Sequence, residues 1–362
     1  MRAADAIRAA GLAHGEPIEI THIDVMTYVS AAFRKLYTDL YIKLVNNHPT
    51  AWGYLYRFTN DAAADSFGER IRAQVERVNT RTLRKEIALQ SPDAIICTHF
   101  LPAEMLANAI KKARLTCPVW VQVTDFDLHR LWVQEGMAGY FAANDEVAFR
   151  MRACGVPAAS IHVTGIPIMP AFSKKHSRDE CAAAMGMNPR LPTILLMGGG
   201  AGLGCLAKVA EQLLALPGAF QLMVLAGSNV EALTQLQKLA KKHVGRLFPH
   251  GFTKEVERLM ACADLVITKP GGLTSSECLA MGLPMIVNSP IPGQEERNAD
   301  FLLEEGVALK AFDAVTLAYR VGHLLANPAK LNAMHRRAQA LGKPAAAKHV
   351  IETVLAALNQ TK

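Results

Sequence analysis

Short apolar runs alternate with amphipathic helical stretches along most of the chain. Runs of three to five aliphatic or β-branched residues have the composition of buried parallel strands, at 94–97, 119–123, 194–197, 222–225 and 265–267. Longer stretches with apolar residues at helical spacing occur at 203–216, 229–243, 273–281 and 312–326. Strand–helix alternation requires right-handed crossovers between parallel strands. The pattern therefore predicts an α/β fold of doubly wound parallel sheets.

The pattern breaks at residues 164–170, where two prolines interrupt it. A new strand, glycine loop and helix follow, and 362 residues are enough for two cores. We predict a first Rossmann-like domain at 1–165 and a second at 166–345. The predicted helix at 346–362 is expected to cross back to the first domain.

The first predicted helix, at residues 3–12, begins where the chain begins. A doubly wound domain normally opens with a strand and a Gly-rich loop that lead into such a helix. We therefore expect that strand and loop to be encoded upstream of Met1. The alternative is a domain that simply begins with a helix.

Charge and cysteine usage narrow the class of protein. The formal charge of +7 suits phosphorylated or anionic partners, but no nucleic-acid motif accompanies it, so nucleic acid is not expected. No apolar window is long enough to span a bilayer. The seven cysteines include no C-x-x-C pair, which argues against a disulfide framework or structural zinc and favours a reducing cytoplasm.

Aromatic and basic residues are interleaved between positions 33 and 57. This mixture favours a peripheral contact with an anionic membrane surface. The residues that we expect to make the contact are Arg34, Lys35, Tyr37 and Trp52. Helix packing with solvated basic ends is the alternative.

Two glycine-rich turns each follow a predicted strand and open a helix, at 198–204 and 270–272. Backbone N–H groups in such turns, with the positive end of the helix dipole, suit a diphosphate. A tight turn without a ligand is the alternative for the first. Glu277, one turn into the second helix, suits two ribose hydroxyls unless it is simply a solvated surface residue.

A third turn, at 290–293, delivers Gln294 and Glu295 to the start of another helix. An amide and a carboxylate at this place can bind sugar hydroxyls. The alternative is an ordinary first helical turn rich in acidic residues.

The segments T-K-P-G-G-L-T-S-S-E at 268–277 and I-P-G-Q-E-E-R-N at 291–298 resemble the donor-site signatures of GT-B glycosyltransferases. The chain resembles most closely the monogalactosyldiacylglycerol synthases and bacterial diacylglycerol glucosyltransferases. It is more distantly similar to the N-acetylglucosaminyltransferase of the peptidoglycan lipid precursor. The resemblance covers nearly the whole chain and implies two Rossmann-like domains that face a cleft.

The resemblance implies transfer of galactose or glucose, with inversion, from UDP-galactose or UDP-glucose to 1,2-diacylglycerol. A lipid acceptor implies a peripheral protein on the cytoplasmic face of the membrane. By the same resemblance, Glu277 contacts ribose, the backbone near Phe252 contacts uracil, and Gln294 and Glu295 contact the sugar. The implied diphosphate contacts are Gly199, Gly200, Gly202, Gly272, Leu273, Thr274 and Ser275.

The segment V-T-D-F-D-L-H-R-L-W at 123–132 resembles the family's V-T-D-x-x-x-H-x-x-W segment. An inverting displacement needs a base for the acceptor hydroxyl, and we favour Asp125, with His129 as the other candidate. Trp132 is expected to shape the acceptor side. The alternatives are a helix N-cap for Asp125 and core packing for Trp132.

Residues 125–127 also match D-x-D, the metal signature of the other large glycosyltransferase fold. Because glycine loops and helix N-termini can neutralise a diphosphate, we expect no metal and no cofactor.

The family's first-domain G-x-G-H loop, with its acceptor-side histidine, is the one segment without a counterpart; only an R-A-A helix start at Arg2 matches. Three alternatives to this function remain open, and the missing loop bears on the last of them. They are transfer to an undecaprenyl-linked lipid, UDP-sugar epimerisation, and nucleotide-sugar binding by a truncated pseudoenzyme.

Overall fold

The computed structural model describes residues 1–31, 34–35, 53–54, 81–198, 206–288 and 290–360. They form two compact units. The first contains Met1–Pro170, Pro292–Gln294 and Ala345–Lys362, and the second contains Ala171–Ile291 and Glu295–Pro344. None of the described helices is both long and apolar enough to cross a bilayer.

The first unit is built on a parallel sheet of four described strands. These are β1 (Ile95–Cys97), β2 (Val119–Gln122), β3 (Gly139–Phe141) and β4 (Ile161–His162), hydrogen-bonded in that order. The central strands β2 and β3 are buried along their whole length, as parallel strands covered on both faces must be. The helices of the first unit include α1 (Arg2–Leu12), α2 (Phe100–Lys111) and α3 (Asp145–Ala153). Residues 81–90 are also helical.

The C-terminal helix (Ala346–Gln360) belongs to the first unit, where it packs against α1. The apolar face of α1 carries Ala6, Ile7 and Ala10, which cluster with Val350 and Ile351. Small residues at this contact let the two helix backbones approach each other. At Gly11 an added Cβ would lie 2.1 Å from a side-chain carbon of Ile20, so this position has room only for glycine unless Ile20 moves.

The described residues of the second unit contain a six-stranded parallel sheet. Its strands are β5 (Thr193–Met197), β6 (Gln221–Leu225), β7 (Leu247–His250), β8 (Leu265–Thr268), β9 (Met285–Asn288) and β10 (Ala308–Ala311). They are ordered β10-β9-β8-β5-β6-β7. The chain therefore winds outward from β5 through β6 and β7, then returns to β8 and winds the other way. This is the doubly wound order, with its switch point between β5 and β8.

Helices flank this sheet in the second unit. They are α4 (Arg178–Ala184), α5 (Leu206–Leu214), α6 (Val230–Ala240), α7 (Val256–Cys262), α8 (Gly272–Ala280), α9 (Gln294–Glu304), α10 (Ala314–Leu325) and α11 (Pro328–Leu341). The first residue of α9, Gln294, is grouped with the first unit. The core consists mainly of aliphatic side chains of β5, β6 and β8 against those of α5 and α10. The five strands expected from the apolar runs are all present, which confirms the parallel α/β architecture.

An ion pair ties the beginnings of β5 and β8 to α4. Arg178 donates to both carboxylate oxygens of Asp264, at 2.8 Å each, and Asp264 also accepts from the backbone N–H of Thr193 at 2.8 Å. The hydrogen bond to Asp264 raises the pKa of Arg178. This cluster lies at the amino edge of the sheet.

We expect Arg178→Ala to lower the free energy of unfolding by about 2 kcal/mol, because it leaves a half-buried carboxylate without its bidentate partner. Urea unfolding monitored by circular dichroism measures the change. Lys111→Ala, which removes an exposed ion pair with Glu135 at 3.4 Å, is the control and should change little. Equal losses for the two variants would contradict the structural role of the Arg178 pair.

Candidate functional site

Three neighbouring strands of the second unit end at the same edge of the sheet. β8 pairs with β5 on one side and with β9 on the other, and all three are parallel. Each is followed by a turn that the sequence predicts to bind a ligand: 198–204 after β5, 270–272 after β8, and 290–293 after β9. The edge beyond a switch point is where open α/β sheets bind ligands. Of the first turn, Gly199, Gly200 and Gly202 lie outside the described residues.

The turn after β8 presents the amino end of α8. Its N-cap, Gly271, has no side chain to satisfy the first-turn N–H groups, which include those of Gly272, Leu273 and Thr274. Ser275 is completely buried, and within the described part of the chain its Oγ has no hydrogen-bond partner. These groups form a set of donors at the positive end of a helix dipole, which suits an anionic ligand.

Glu277 lies inside the second unit, with 1% of its surface exposed. The alternative of a solvated surface residue is therefore wrong. Burial raises the pKa of the adjacent Cys278 thiol, and the negative charge of Glu277 raises it further. A buried carboxylate one turn beyond a set of anion-binding N–H groups is suited to the neutral hydroxyls of a nucleotide.

Glu295 shapes the third turn. Its Oε2 accepts a hydrogen bond from the backbone N–H of Ile291 at 2.8 Å. Gly293 has a φ of 95°, a left-handed conformation that favours glycine. Burial raises the pKa of Glu295, while the Ile291 hydrogen bond and the charge of Lys269 oppose the shift. Glu295 therefore holds the turn in place in addition to any contact with a sugar.

Two residues of interest lie at the carboxyl end of β7, on the other side of the switch point. Phe252 is 72% exposed and comes two residues after the strand ends. His250, the last residue of β7, has its pKa lowered by burial, and its buried Nε2 has no hydrogen-bond partner among the described residues. Sequence reasoning missed His250, since its position at a strand end was the only available signal.

In the first unit, Asp125 follows the carboxyl end of β2 and is buried. No helix begins there, so the N-cap alternative for Asp125 is wrong. The next short helix begins instead at Arg130, and His129 caps it by accepting from the N–H of Leu131 at 3.2 Å. Within the same unit, the side-chain amide of Gln294 donates to the Asp125 carboxylate, which orients it.

The cap made by His129 decides its chemistry. Its Nδ1 is the acceptor, so a neutral imidazole carries its hydrogen on Nε2. His129 therefore offers a donor at Nε2, whereas a base would need a lone pair there. Of the two candidates for the base, this geometry favours Asp125.

A second histidine, which sequence reasoning missed, lies beside this region. His99 caps α2, because its Nδ1 accepts a hydrogen bond from the backbone N–H of Leu101 at 3.2 Å. The centroids of the His99 and Phe100 rings are 4.2 Å apart. Although part of its surface is exposed, surrounding protein desolvates the ring and lowers its pKa to about 4. His99 lies two residues after the end of β1, and that position was the signal that could have identified it.

Asp127 is held by protein groups. It forms an ion pair with Arg150 and accepts from the N–H of Leu128 at 2.9 Å. Asn144 fixes the same loop by donating to the carbonyl of Phe126 at 3.1 Å. A metal bound through residues 125–127 would have to displace Arg150. In the described ranges, no three His, Cys, Asp or Glu side chains are grouped as metal ligands.

The residue predicted to contact the acceptor is buried, whereas the described residues predicted to contact the membrane are exposed. Trp132 is 2% exposed and belongs to the core, where Phe100 packs edge-on against it with ring centroids 5.9 Å apart. Trp132 therefore packs in the core, which was the alternative to an acceptor-side role, and it exposes almost no side-chain surface to an acceptor. Arg34 and Lys35 are helical and exposed. Tyr37 and Trp52 lie outside the described residues.

Two family models match the chain, one for each half. Residues 1–168 match the monogalactosyldiacylglycerol (MGDG) synthase model, and residues 193–350 match the glycosyltransferase family 28 C-terminal domain. The chain is 30% identical to a processive diacylglycerol beta-glucosyltransferase of Bacillus pumilus, over 77% of this chain and 71% of that protein. It is also 30% identical to the Bacillus cereus protein of the same description, over 83% and 77% of the two chains.

Solved structures with the same fold include Acinetobacter baumannii MurG, with a TM-score of 0.58 and 18% identity over 78% of this chain and 79% of that one. They also include the UDP-GlcNAc 2-epimerase of Neisseria meningitidis bound to UDP-GlcNAc, with a TM-score of 0.59 and 15% identity over 81% and 83%. At these identities the likeness shows the GT-B fold alone. The family models and the relatives at 30% identity go further: this chain belongs to the family of MGDG synthases and processive diacylglycerol glucosyltransferases, and is a UDP-sugar-dependent glycosyltransferase.

Proposed function

We propose that this protein transfers glucose or galactose from a UDP-sugar to 1,2-diacylglycerol with inversion, giving a β-glycosyl-diacylglycerol. The observation that carries the proposal is the switch point of the second unit, with the uncapped amino end of α8 above buried Glu277. The relatives at 30% identity are described as diacylglycerol glucosyltransferases, which supports the choice of acceptor.

The donor is proposed to bind along the carboxyl edge of the second sheet. First-turn N–H groups of α8 and the Ser275 hydroxyl donate to the diphosphate, and Glu277 accepts from ribose hydroxyls. Phe252 lies beyond β7, so the uracil extends past β6 toward that strand. Gln294 and Glu295, beyond β9, contact the sugar. This arrangement distributes the parts of a nucleotide sugar across adjacent strands about 4.8 Å apart.

In the proposed reaction, Asp125 accepts the proton of the diacylglycerol hydroxyl as its oxygen attacks C1 of the sugar. The new C1–O bond forms opposite the breaking bond to the diphosphate, so the configuration inverts. UDP leaves with the bonding electrons, and the helix N-terminus stabilises the charge that develops on it. A diacylglycerol acceptor implies action at a membrane, as a peripheral protein on its cytoplasmic face.

Incubation with each UDP-sugar, with and without diacylglycerol, tests the function. We expect glycolipid on a thin-layer plate only when diacylglycerol is present, and comparison of UDP-glucose with UDP-galactose identifies the sugar. A new UDP-sugar without acceptor would instead indicate epimerisation. Binding of UDP without any product would indicate a pseudoenzyme, and product only with an undecaprenyl-linked acceptor would change the lipid.

We propose that no metal or other cofactor is needed, because helix N–H groups supply the charge stabilisation. Turnover should therefore be unchanged after treatment with EDTA, measured as glycolipid formed per minute. The control is the same assay with added Mg²⁺ or Mn²⁺. Loss of turnover in EDTA with recovery on adding either ion would contradict the metal-free mechanism and favour a metal at the D-x-D segment.

A further inference from the structure

Helix α10 is apolar on two opposite sides. Leu317, Val321 and Leu324 face the core and are fully buried. On the other side, Val315 is 79% exposed and Tyr319 is 63% exposed, and their i,i+4 spacing places them on one face. Phe312, 72% exposed, directly follows β10 and precedes the helix. The three side chains form an exposed apolar strip that extends for about 10 Å.

Cationic side chains lie over the aromatic rings of this strip. The Nζ of Lys310 is 5.4 Å from the centroid of the Phe312 ring, and the Cζ of Arg320 is 5.8 Å from that of Tyr319. The strip is therefore bordered by positive charge at each aromatic residue. Aromatic rings beside Lys and Arg are the combination that suits a bilayer interface, where the rings enter the headgroup region and the cations meet phosphate.

The stretch of sequence that contains the strip is basic. Residues 307–343 contain six Lys or Arg residues and a single acidic residue, Asp313, although the net charge of the whole chain is only +7. Asp313 is the N-cap of α10 and accepts from the N–H of Thr316 at 2.7 Å. The capping carboxylate keeps its negative charge, so Lys310, Arg320 and Asp313 together leave a net charge of +1 beside the strip (two cations and one anion).

The location of the strip relates it to the donor edge of the second unit. β10 is parallel to β9, which is parallel to β8, so Phe312 and the amino ends of α8 and α9 lie at the same edge of one sheet. Phe312 is two strands away from the end of β8, or about 10 Å. A surface that contacts Phe312 would therefore lie beside the sugar end of the proposed donor site.

We propose that Phe312, Val315 and Tyr319, with Lys310 and Arg320, form a contact for an anionic lipid bilayer. This inference rests on the proposed function, in which the acceptor is a membrane lipid. A second copy of the chain fits the strip less well, because a two-fold contact would bring the same cations against each other. An anionic bilayer meets both features, since it accepts apolar side chains and balances the charge.

Sedimentation with vesicles tests this contact. The full chain should bind vesicles of equimolar phosphatidylcholine and phosphatidylglycerol, and should bind pure phosphatidylcholine much more weakly. The triple variant Phe312→Ser, Val315→Ser, Tyr319→Ser should bind the anionic vesicles roughly tenfold or more weakly. Lys310→Gln and Arg320→Gln should each weaken binding about fivefold at low salt, the equivalent of ~1 kcal/mol per cation.

The matched pair of single variants is Val315→Ser and Val244→Ser. Val244 is 85% exposed and lies near Lys241 and Lys242 in the sequence, but it precedes β7 and so belongs to the amino edge of the sheet. We expect Val315→Ser to weaken vesicle binding and Val244→Ser to leave it unchanged. Wild-type binding by the triple variant, or equal loss in the two single variants, would overturn the proposal. So would a smaller oligomer for the triple variant in light scattering, which would assign the strip to a contact between copies.

Two further measurements separate this inference from the proposed function. UDP affinity of the triple variant should equal that of the wild type, which shows that the second unit is intact. Glycolipid synthesis in detergent micelles containing diacylglycerol reports the chemistry without a bilayer. If the wild type makes no glycolipid there, the proposed function fails. If it does, and the triple variant still binds anionic vesicles normally, only the membrane contact fails.

Discussion

Replacement of Asp125 by Asn should lower kcat for glycolipid synthesis by about 10²- to 10⁴-fold, the contribution of a positioned general base. The amide keeps the size of the side chain and can still hydrogen-bond Gln294, but it cannot accept the proton of the acceptor hydroxyl. The measurement is the rate of glycolipid formation at saturating donor and acceptor. The KM for the UDP-sugar should change little, because Asp125 belongs to the first unit and the proposed donor contacts to the second, apart from Gln294.

His129→Asn is the matched variant for this prediction. The side-chain oxygen of Asn can also accept a hydrogen bond from the N–H of Leu131, so this variant keeps the cap of the short helix that begins at Arg130. It removes the imidazole that was the other candidate base. We expect a much smaller loss in kcat than for Asp125→Asn. If the two variants lose equal activity, or if Asp125→Asn keeps activity within threefold of the wild type, the assignment of the base to Asp125 is wrong.

UDP binding should weaken about 30- to 1,000-fold when Glu277 is replaced by Ala, the equivalent of about 2–4 kcal/mol. The reason is the loss of two charge-assisted hydrogen bonds to ribose inside a site where the carboxylate is 1% exposed. Titration calorimetry with UDP measures the change. Because truncation of a buried side chain can disturb the fold, Glu277→Gln provides a variant of nearly the same shape, and it should lose an intermediate amount.

The nucleotide itself offers a sharper control for Glu277. The 2′-deoxy analogue of UDP lacks one of the two ribose hydroxyls, so the wild type should bind it clearly more weakly than UDP. Glu277→Ala should bind UDP and the analogue equally, because the partner of that hydroxyl is gone. Such a cycle isolates the pairwise interaction from any general effect of the substitution. If the variant discriminates between the two nucleotides as strongly as the wild type does, Glu277 does not contact the 2′-hydroxyl.

Much of the second unit could be predicted from local pattern. The runs at 194–197, 222–225 and 265–267 are strands within a residue or two, and the turn at 270–272 opens α8 as expected. Parallel strands buried on both faces need continuous apolar residues, and an amphipathic helix needs apolar residues at helical spacing. Both patterns can therefore be recognised from residues a few positions apart. The Gly-rich turns and the acidic residue after them are equally local features.

The amino-acid pattern did not determine how distant segments combine. Glu277 could be solvated or buried, and only the folded second unit buries it. The ion pair of Asp127 joins residues 23 positions apart, and the exposed strip on α10 combines with Lys310 from an edge strand. The local pattern was also silent on the cap made by His129, which fixes its tautomer.

The chain order alone also left the strand order undecided. β5 and β8 are separated by two intervening strands along the chain, yet they are neighbours in the sheet. Local windows carry the preference of each segment for helix or strand, because that preference depends on residues a few positions apart. The neighbours of a strand, the burial of a carboxylate and the exposure of a helix face depend on contacts between distant segments, and these exist only once the sheets have assembled.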